Sequence, residues 1–190
     1  MKPLIIDNLL PDIIHKNISD DLLEQKYYVL DNLSGEKSPK QQIENISITD
    51  NQVGLGTTIF DGKVGVVDKE RFGVYSLLID YMQDKTDFKV HKLFRIRIGI
   101  NLNINTQGTH NPHIDFKFPH NTLLFYVNDA DGDTVFYEEF YNGYEQDKYN
   151  VQMTNTPKAN QAVLFNGLQY HSSSNPIKSQ YRAAININFE

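Results

Sequence analysis

The sequence predicts a mainly β, α+β chain whose second half is an antiparallel jelly roll. Three observations carry this. From about residue 89 onward the hydrophobic period changes to two; short β-rich segments then recur without internal repeat; and helical patterning is confined to the first 90 residues. The 190 residues suit one domain over 1–190, with 1–90 as helical and loop support and 91–190 as the jelly-roll core. No stretch is rich enough in Pro, Gly or Ser to act as a linker.

Taken in order, Ile14, Ile18 and Leu22 recur at four-residue spacing after Pro11-Asp12, which predicts an amphipathic helix near 11–24. Residues 34–66 are rich in Ser, Gly, Asn and Lys and predict loops with weak strands at 43–48 and 57–60. A second helix is expected over 69–83, with Asp68 as N-cap and Phe72, Tyr75, Ile79 and Met82 as its apolar stripe.

The run from Phe94 to Ile104 alternates almost without interruption. It places the Ile and Leu side chains on one face and Arg95, Arg97, Asn101 and Asn103 on the other. Further strands are expected at 122–128, 134–138, 162–166 and 181–189. The Asp129–Asp133 segment predicts a hairpin joining the first two. In the last strand Arg182, Ala184, Asn186 and Asn188 share a face, as do Thr122, Leu124, Tyr126 and Asn128 in theirs, so the polar faces of three strands suit one hydrated cavity.

The net charge of −6 and a pI near 5.5 disfavour non-specific nucleic-acid binding, which needs Lys and Arg to neutralise phosphates. There is no cysteine, so disulfides, thiolate metal sites and cysteine nucleophiles are excluded. A cytoplasmic, reducing setting fits. No run approaches the ~20 apolar residues of a spanning helix, and the N-terminal apolar run is interrupted by Asp7, so neither membrane span nor signal peptide is expected.

The chemistry-bearing residues are His113-Ile114-Asp115, then His171, then Arg182 eleven positions on. Two imidazoles and a carboxylate can hold Fe(II) on one face and leave the other open. Roughly half a His-x-Asp match is expected by chance in such a chain, so the motif alone decides nothing. Arg182 is more telling, being one of only four Arg among 18 basic residues. Its planar fork can hold a carboxylate at two points.

From Arg95 to the C-terminus these residues resemble the Fe(II)/2-oxoglutarate-dependent dioxygenases, in particular their prolyl 4-hydroxylase-like branch. The resemblance rests on His113-Ile114-Asp115, the strand 122–128, Asp131-Gly132-Asp133-Thr134, His171 and Arg182. It implies a double-stranded β-helix of cupin-like type, with His113, Asp115 and His171 as iron ligands and catalytic centre. It further implies that Arg182 receives the distal carboxylate of 2-oxoglutarate, with Tyr126 and Thr122 as further co-substrate contacts. The implied reaction consumes O₂ and 2-oxoglutarate, releases succinate and CO₂ and hydroxylates a C–H bond of a peptidyl, prolyl or small-molecule substrate, with ascorbate as a candidate reductant. Two departures stand out. Ala184 occupies a position two after the Arg where the family often has a hydroxyl, and Asn101 and Asn103 lie where it often has an aromatic residue.

Alternatives remain open at this level. His110 is a second candidate ligand, His120 suits either the substrate mouth or a purely structural place, and Arg95 and Arg97 suit either a cavity wall or a solvated face. The aromatic segment 136–144 suits a lid or ordinary packing. Asp131 and Asp133 lack the ligand series of an EF-hand, which favours a turn. A cupin-like metal enzyme using no 2-oxo acid and a non-catalytic jelly-roll binding module are the competing functions.

Overall fold

The computed structural model describes residues 2–30, 42–43, 45–49, 52–144 and 146–190. The loop expected over 34–41 therefore lies outside the described residues. Two helices, α1 (Asp12–Leu22) and α2 (Lys69–Lys85), pack on one face of a large sheet. That sheet has the order β1 (Leu4–Ile6), β11 (Gln161–Asn166), β7 (Asn121–Tyr126), β13 (Tyr181–Phe189), β6 (Leu93–Leu102), β4 (Gly54–Asp61), β2 (Tyr28–Leu30), with β5 (Gly65–Val66) paired to β4. Opposite its other face stands a three-stranded sheet, β10 (Val151–Asn155), β8 (Thr134–Phe140), β12 (Gln169–Ser173). A short parallel pair, β3 (Gln42–Ile43) with β9 (Lys148–Tyr149), flanks it. The core is a jelly roll.

Period-two patterning explains how the large sheet serves two purposes. Ile96, Ile98 and Ile100 of β6, Leu123 and Phe125 of β7 and Ala183, Ile185, Ile187 and Phe189 of β13 all turn to the helical side. They meet Ile18 and Leu22 of α1 and Tyr75, Leu78, Ile79 and Met82 of α2. Burying each large side chain is worth about 1.5–3 kcal/mol, so this layer dominates stability and leaves the opposite face free to be polar. α2 starts where Asp68 accepts the Arg71 backbone N–H at 3.1 Å. Its Arg71 also reaches Asp21 of α1 at 2.9 Å, tying the helices together.

β4 is longer than expected. It runs through Gly54 and Gly56, which the composition of 34–66 had suggested as loop, because pairing with both β2 and β6 satisfies its backbone.

The expected hairpin between β7 and β8 does not form: β7 pairs with β11 and β13, whereas β8 pairs with β10 and β12 in the other sheet. The connecting aspartates explain the difference. Asp131 accepts the backbone N–H groups of Ile177, Lys178 and Ser179 at 2.8–3.2 Å, and Asp129 accepts that of Ala159 at 2.7 Å. A Cβ on Gly132 would sit 2.5 Å from the Ser174 carbonyl oxygen, so only glycine allows this close crossing. The segment is a corner between sheets, in which Asp129 and Asp131 hold backbone.

Candidate metal centre

The loop after β6 returns to the three-stranded sheet through His113, which exchanges two backbone hydrogen bonds with His171 of β12, at 2.9 and 3.0 Å. The exchange makes two residues 58 positions apart cross-strand neighbours, their rings 4.6 Å apart between centroids. Asp115 follows two residues later on the same side. One ligand atom from each of His113, Asp115 and His171 lies within 4.8 Å of the others.

Hydrogen bonding assigns the tautomers. Nδ1 of His113 faces the Asn111 carbonyl at 3.1 Å and Nδ1 of His171 faces the Gln169 carbonyl at 3.0 Å. A carbonyl only accepts, so both Nδ1 atoms carry the proton and both Nε2 lone pairs are free. Burial pushes both imidazoles down, His171 to about 4, so neither is charged near neutrality.

Asp115 behaves oppositely. Burial alone would raise its pKa, but the Arg95 guanidinium, the two imidazoles and the Asn186 amide together hold it well below the usual carboxylate range. Arg95 Nη2 donates to Oδ1 at 2.6 Å, while Asn186 and Asn188 donate to Oδ2 at 3.0 and 2.9 Å. Two neutral imidazoles with free lone pairs beside an ionised carboxylate form a donor set that fits a divalent metal with open positions, Fe(II) among them.

His113, Asp115 and His171 line a cavity of about 110 Å³ whose wall also includes Leu124, Ala184, Asn101 and Arg182. Arg182 is 4 % exposed. Its Nη2 donates to Thr134 Oγ1 at 2.7 Å, the guanidinium lies 5.4 Å from the centre of the Tyr126 ring, and its buried Nε has no partner among the described residues. Tyr126 donates its hydroxyl to the same Thr134 oxygen at 2.8 Å. A buried guanidinium with an unused N–H, in the wall of the cavity that His113, Asp115 and His171 also line, fits the far carboxylate of a 2-oxo diacid.

The structure brings Tyr126 and Arg182 together but separates Thr122 from them. Thr122 pairs in register with Asn188, six residues from Arg182 on β13, or about 20 Å along the strand. It accepts the Asn188 amide at 3.0 Å and so stands behind Asp115, not beside Arg182. That geometry sets Thr122 apart from the Arg182–Tyr126 pair expected to share its role. Both ring nitrogens of His110 are engaged, with Ser173 Oγ and Asn175 Oδ1, each at 3.1 Å. His120 is buried on Phe118 and Gly167 and does not line the cavity. The aromatic segment divides, with Phe136 and Tyr137 fully buried and Tyr144 on the surface. Phe136 packs beside Phe165 and His171, which steadies the ligand ring.

Thr134 and the acceptor role of Asp115 toward Asn186 and Asn188 were missed from sequence. The shared face of Arg182, Asn186 and Asn188 was the available signal, whereas nothing local marks Thr134.

No family model and no curated protein matches the chain. Solved structures do. One is an oxidoreductase of the 2OG-Fe(II) oxygenase family from Burkholderia pseudomallei, at 10% identity and TM-score 0.67, covering 99% of this chain and 85% of that one. The chain has the fold of the 2-oxoglutarate oxygenases. A second is a prolyl hydroxylase from Trichoplax adhaerens in complex with a hypoxia inducible factor oxygen degradation domain peptide fragment, at 14% identity and TM-score 0.61, covering 98% and 82%. A third is the epimerase SnoN from nogalamycin biosynthesis in complex with Fe3+, alpha ketoglutarate and nogalamycin RO, at 12% identity and TM-score 0.57, covering 98% and 78%.

Proposed function

We propose that this protein is a non-haem Fe(II)- and 2-oxoglutarate-dependent oxygenase. The observation that carries the reading is the tautomer assignment: two free Nε2 lone pairs and an ionised carboxylate converge on a cavity that a buried Arg182 with an unused N–H also lines. His113, Asp115 and His171 would hold the metal, and Arg182 with Tyr126 would hold the 2-oxo diacid. The similarity to a prolyl hydroxylase in complex with a peptide fragment and to an epimerase in complex with nogalamycin RO supports a peptide or a small molecule as the substrate class here.

Bound there, Fe(II) supplies O₂ activation coupled to loss of CO₂ from 2-oxoglutarate, giving succinate and a hydroxylated C–H bond, with ascorbate as reductant if the iron oxidises. The chain's own residues bind, orient and exclude water. The Asn111 and Gln169 carbonyls lock each imidazole by its Nδ1–H so that Nε2 faces the metal position. Asn186 and Asn188 fix one oxygen of Asp115 and Arg95 the other, which restricts the carboxylate to a single orientation. Arg182 sets the co-substrate's direction, and Leu124 and Ala184 keep that wall dry. We place the protein in the cytoplasm, where a reducing environment keeps iron ferrous and suits a chain without cysteine.

The test is an anaerobic titration of the Fe(II)-loaded protein with 2-oxoglutarate, followed by the weak visible charge-transfer band of a chelated 2-oxo acid. A saturable band is expected, with the half-saturating concentration raised at least tenfold in Arg182→Ala. Iron binding with no band at any concentration would refute co-substrate use.

A further inference from the structure

Arg97 lies beside the proposed metal position yet serves neither metal nor 2-oxo diacid. Among the described residues its side chain makes no hydrogen bond or ion pair, whereas the neighbouring Arg95 bonds Asn188 and Asp115. It lines the metal-site cavity and also a larger groove toward β2 and β4, so it marks the junction of the two. Burial and the neighbouring Arg95 charge act against its cation, and the Asp115 carboxylate offsets them only in part.

Space has been left beside it. Gly56 and Gly99 face each other in register across β4 and β6, two pairs along from Arg97 and Thr58 and so on the same face of the sheet. Neither has a positive φ, so backbone conformation does not require glycine at either. A Cβ on Gly99 would meet no atom within 4 Å, whereas one on Gly56 would lie 2.6 Å from Leu30 Cδ1 and 3.3 Å from Arg97 Nη2. The open space is therefore on the Gly99 side, while Leu30 covers Gly56.

Charge points the same way. Three guanidinium groups, Arg95, Arg97 and Arg182, line the cavity against the single carboxylate of Asp115, an excess of two positive charges in a chain of net charge −6. A divalent metal and a dianionic 2-oxo diacid cancel one another and leave that excess intact. Asp115 favours the Arg97 cation but is already paired with Arg95, and a partly desolvated cation left short of negative charge is destabilising, which is the signature of a group kept for a ligand.

We propose that Arg97 receives an oxyanion, a carboxylate or phosphoryl group, borne by the substrate, which enters from the groove side and presents its C–H bond toward the triad. Only the word substrate rests on the oxygenase reading; the anion site itself does not.

The test measures protection against thermal unfolding by methylphosphonate and by acetate, with saturating Mn(II) and 2-oxoglutarate and again without either, in the native protein and in Arg97→Gln, Arg97→Lys and Arg182→Gln. Saturable protection is expected in the native protein and in Arg182→Gln, weakened at least tenfold in Arg97→Gln and less in Arg97→Lys. The tighter probe assigns the phosphoryl or the carboxylate class. The urea midpoint of Arg97→Gln should be unchanged or raised, whereas a structural arginine would lower it. Protection unaltered by Arg97→Gln, abolished only by Arg182→Gln, or absent from the native protein would overturn the proposal. Failure of the oxygenase reading would show separately, as anion protection that persists while Mn(II) and 2-oxoglutarate have no effect.

Discussion

Asp115 is both a ligand candidate and the anion on which its neighbours depend, so Asp115→Ala should destabilise the protein before any metal is considered. The side chain is 9 % exposed and its partner Arg95 18 %, with Nη2 to Oδ1 at 2.6 Å. Removing one member of a buried pair costs about 3–5 kcal/mol, because the other charge is left uncompensated. Two terms adjust this. Arg95 keeps its Nε bond to Asn188 Oδ1 at 3.0 Å and can recruit water from the cavity, which lowers the cost. The Asn186 and Asn188 amides lose their acceptor, at roughly 1 kcal/mol each, which raises it. A loss of about 3 kcal/mol follows, equivalent to ~6–12 °C in Tm for a chain of this size. Asp115→Asn should cost about 1 kcal/mol, since its remaining oxygen still serves Arg95 and the Asn186 amide can turn its unpartnered Oδ1 toward the new N–H. The assay is urea unfolding in the presence of chelator, with Arg95→Ala closing a double-mutant cycle. A coupling energy above about 1.5 kcal/mol is expected. Asp115→Ala as stable as the native protein to within ~0.5 kcal/mol would refute the reasoning.

Two further outcomes can be checked without a substrate. Burial lowers the His110 pKa to about 4, helped by the Arg182 and His113 charges and opposed by the Asn175 hydrogen bond. The unfolded chain therefore takes up a proton below about pH 6.5 that the folded chain refuses. Stability is complete above that pH and declines as pH falls toward 4, by about 1.4 kcal/mol per pH unit from this group. Urea midpoints at pH 7, 6 and 5 should show a slope that His110→Gln reduces by that amount, and an unaltered slope would count against it. Gly167→Ala drives a methyl group into the buried His120 ring, and overpacking of this kind costs about 1–3 kcal/mol. A neutral result in thermal unfolding would mean that His120 is free to move.

The alternation in β6, β7 and β13 determined by itself which face became core and which became cavity. Side chains that point to opposite sides every second residue can be sorted without knowing the strand's neighbours. The same logic put Arg95, Arg97 and Arg182 on the polar side, and the α2 stripe with its Asp68 cap was equally local. Strand pairing was not legible. β7 and β8 lie in different sheets because Asp129 and Asp131 bond the backbone of 159 and of 177–179, partners that no local pattern names. The same holds for the His113–His171 exchange, for Thr134 under Arg182, and for Thr122, whose distance from Arg182 is set by the β7–β13 register. Short-range periodicity is encoded residue by residue; register and crossing corners depend on groups far apart in sequence, and only the folded chain brings those groups together.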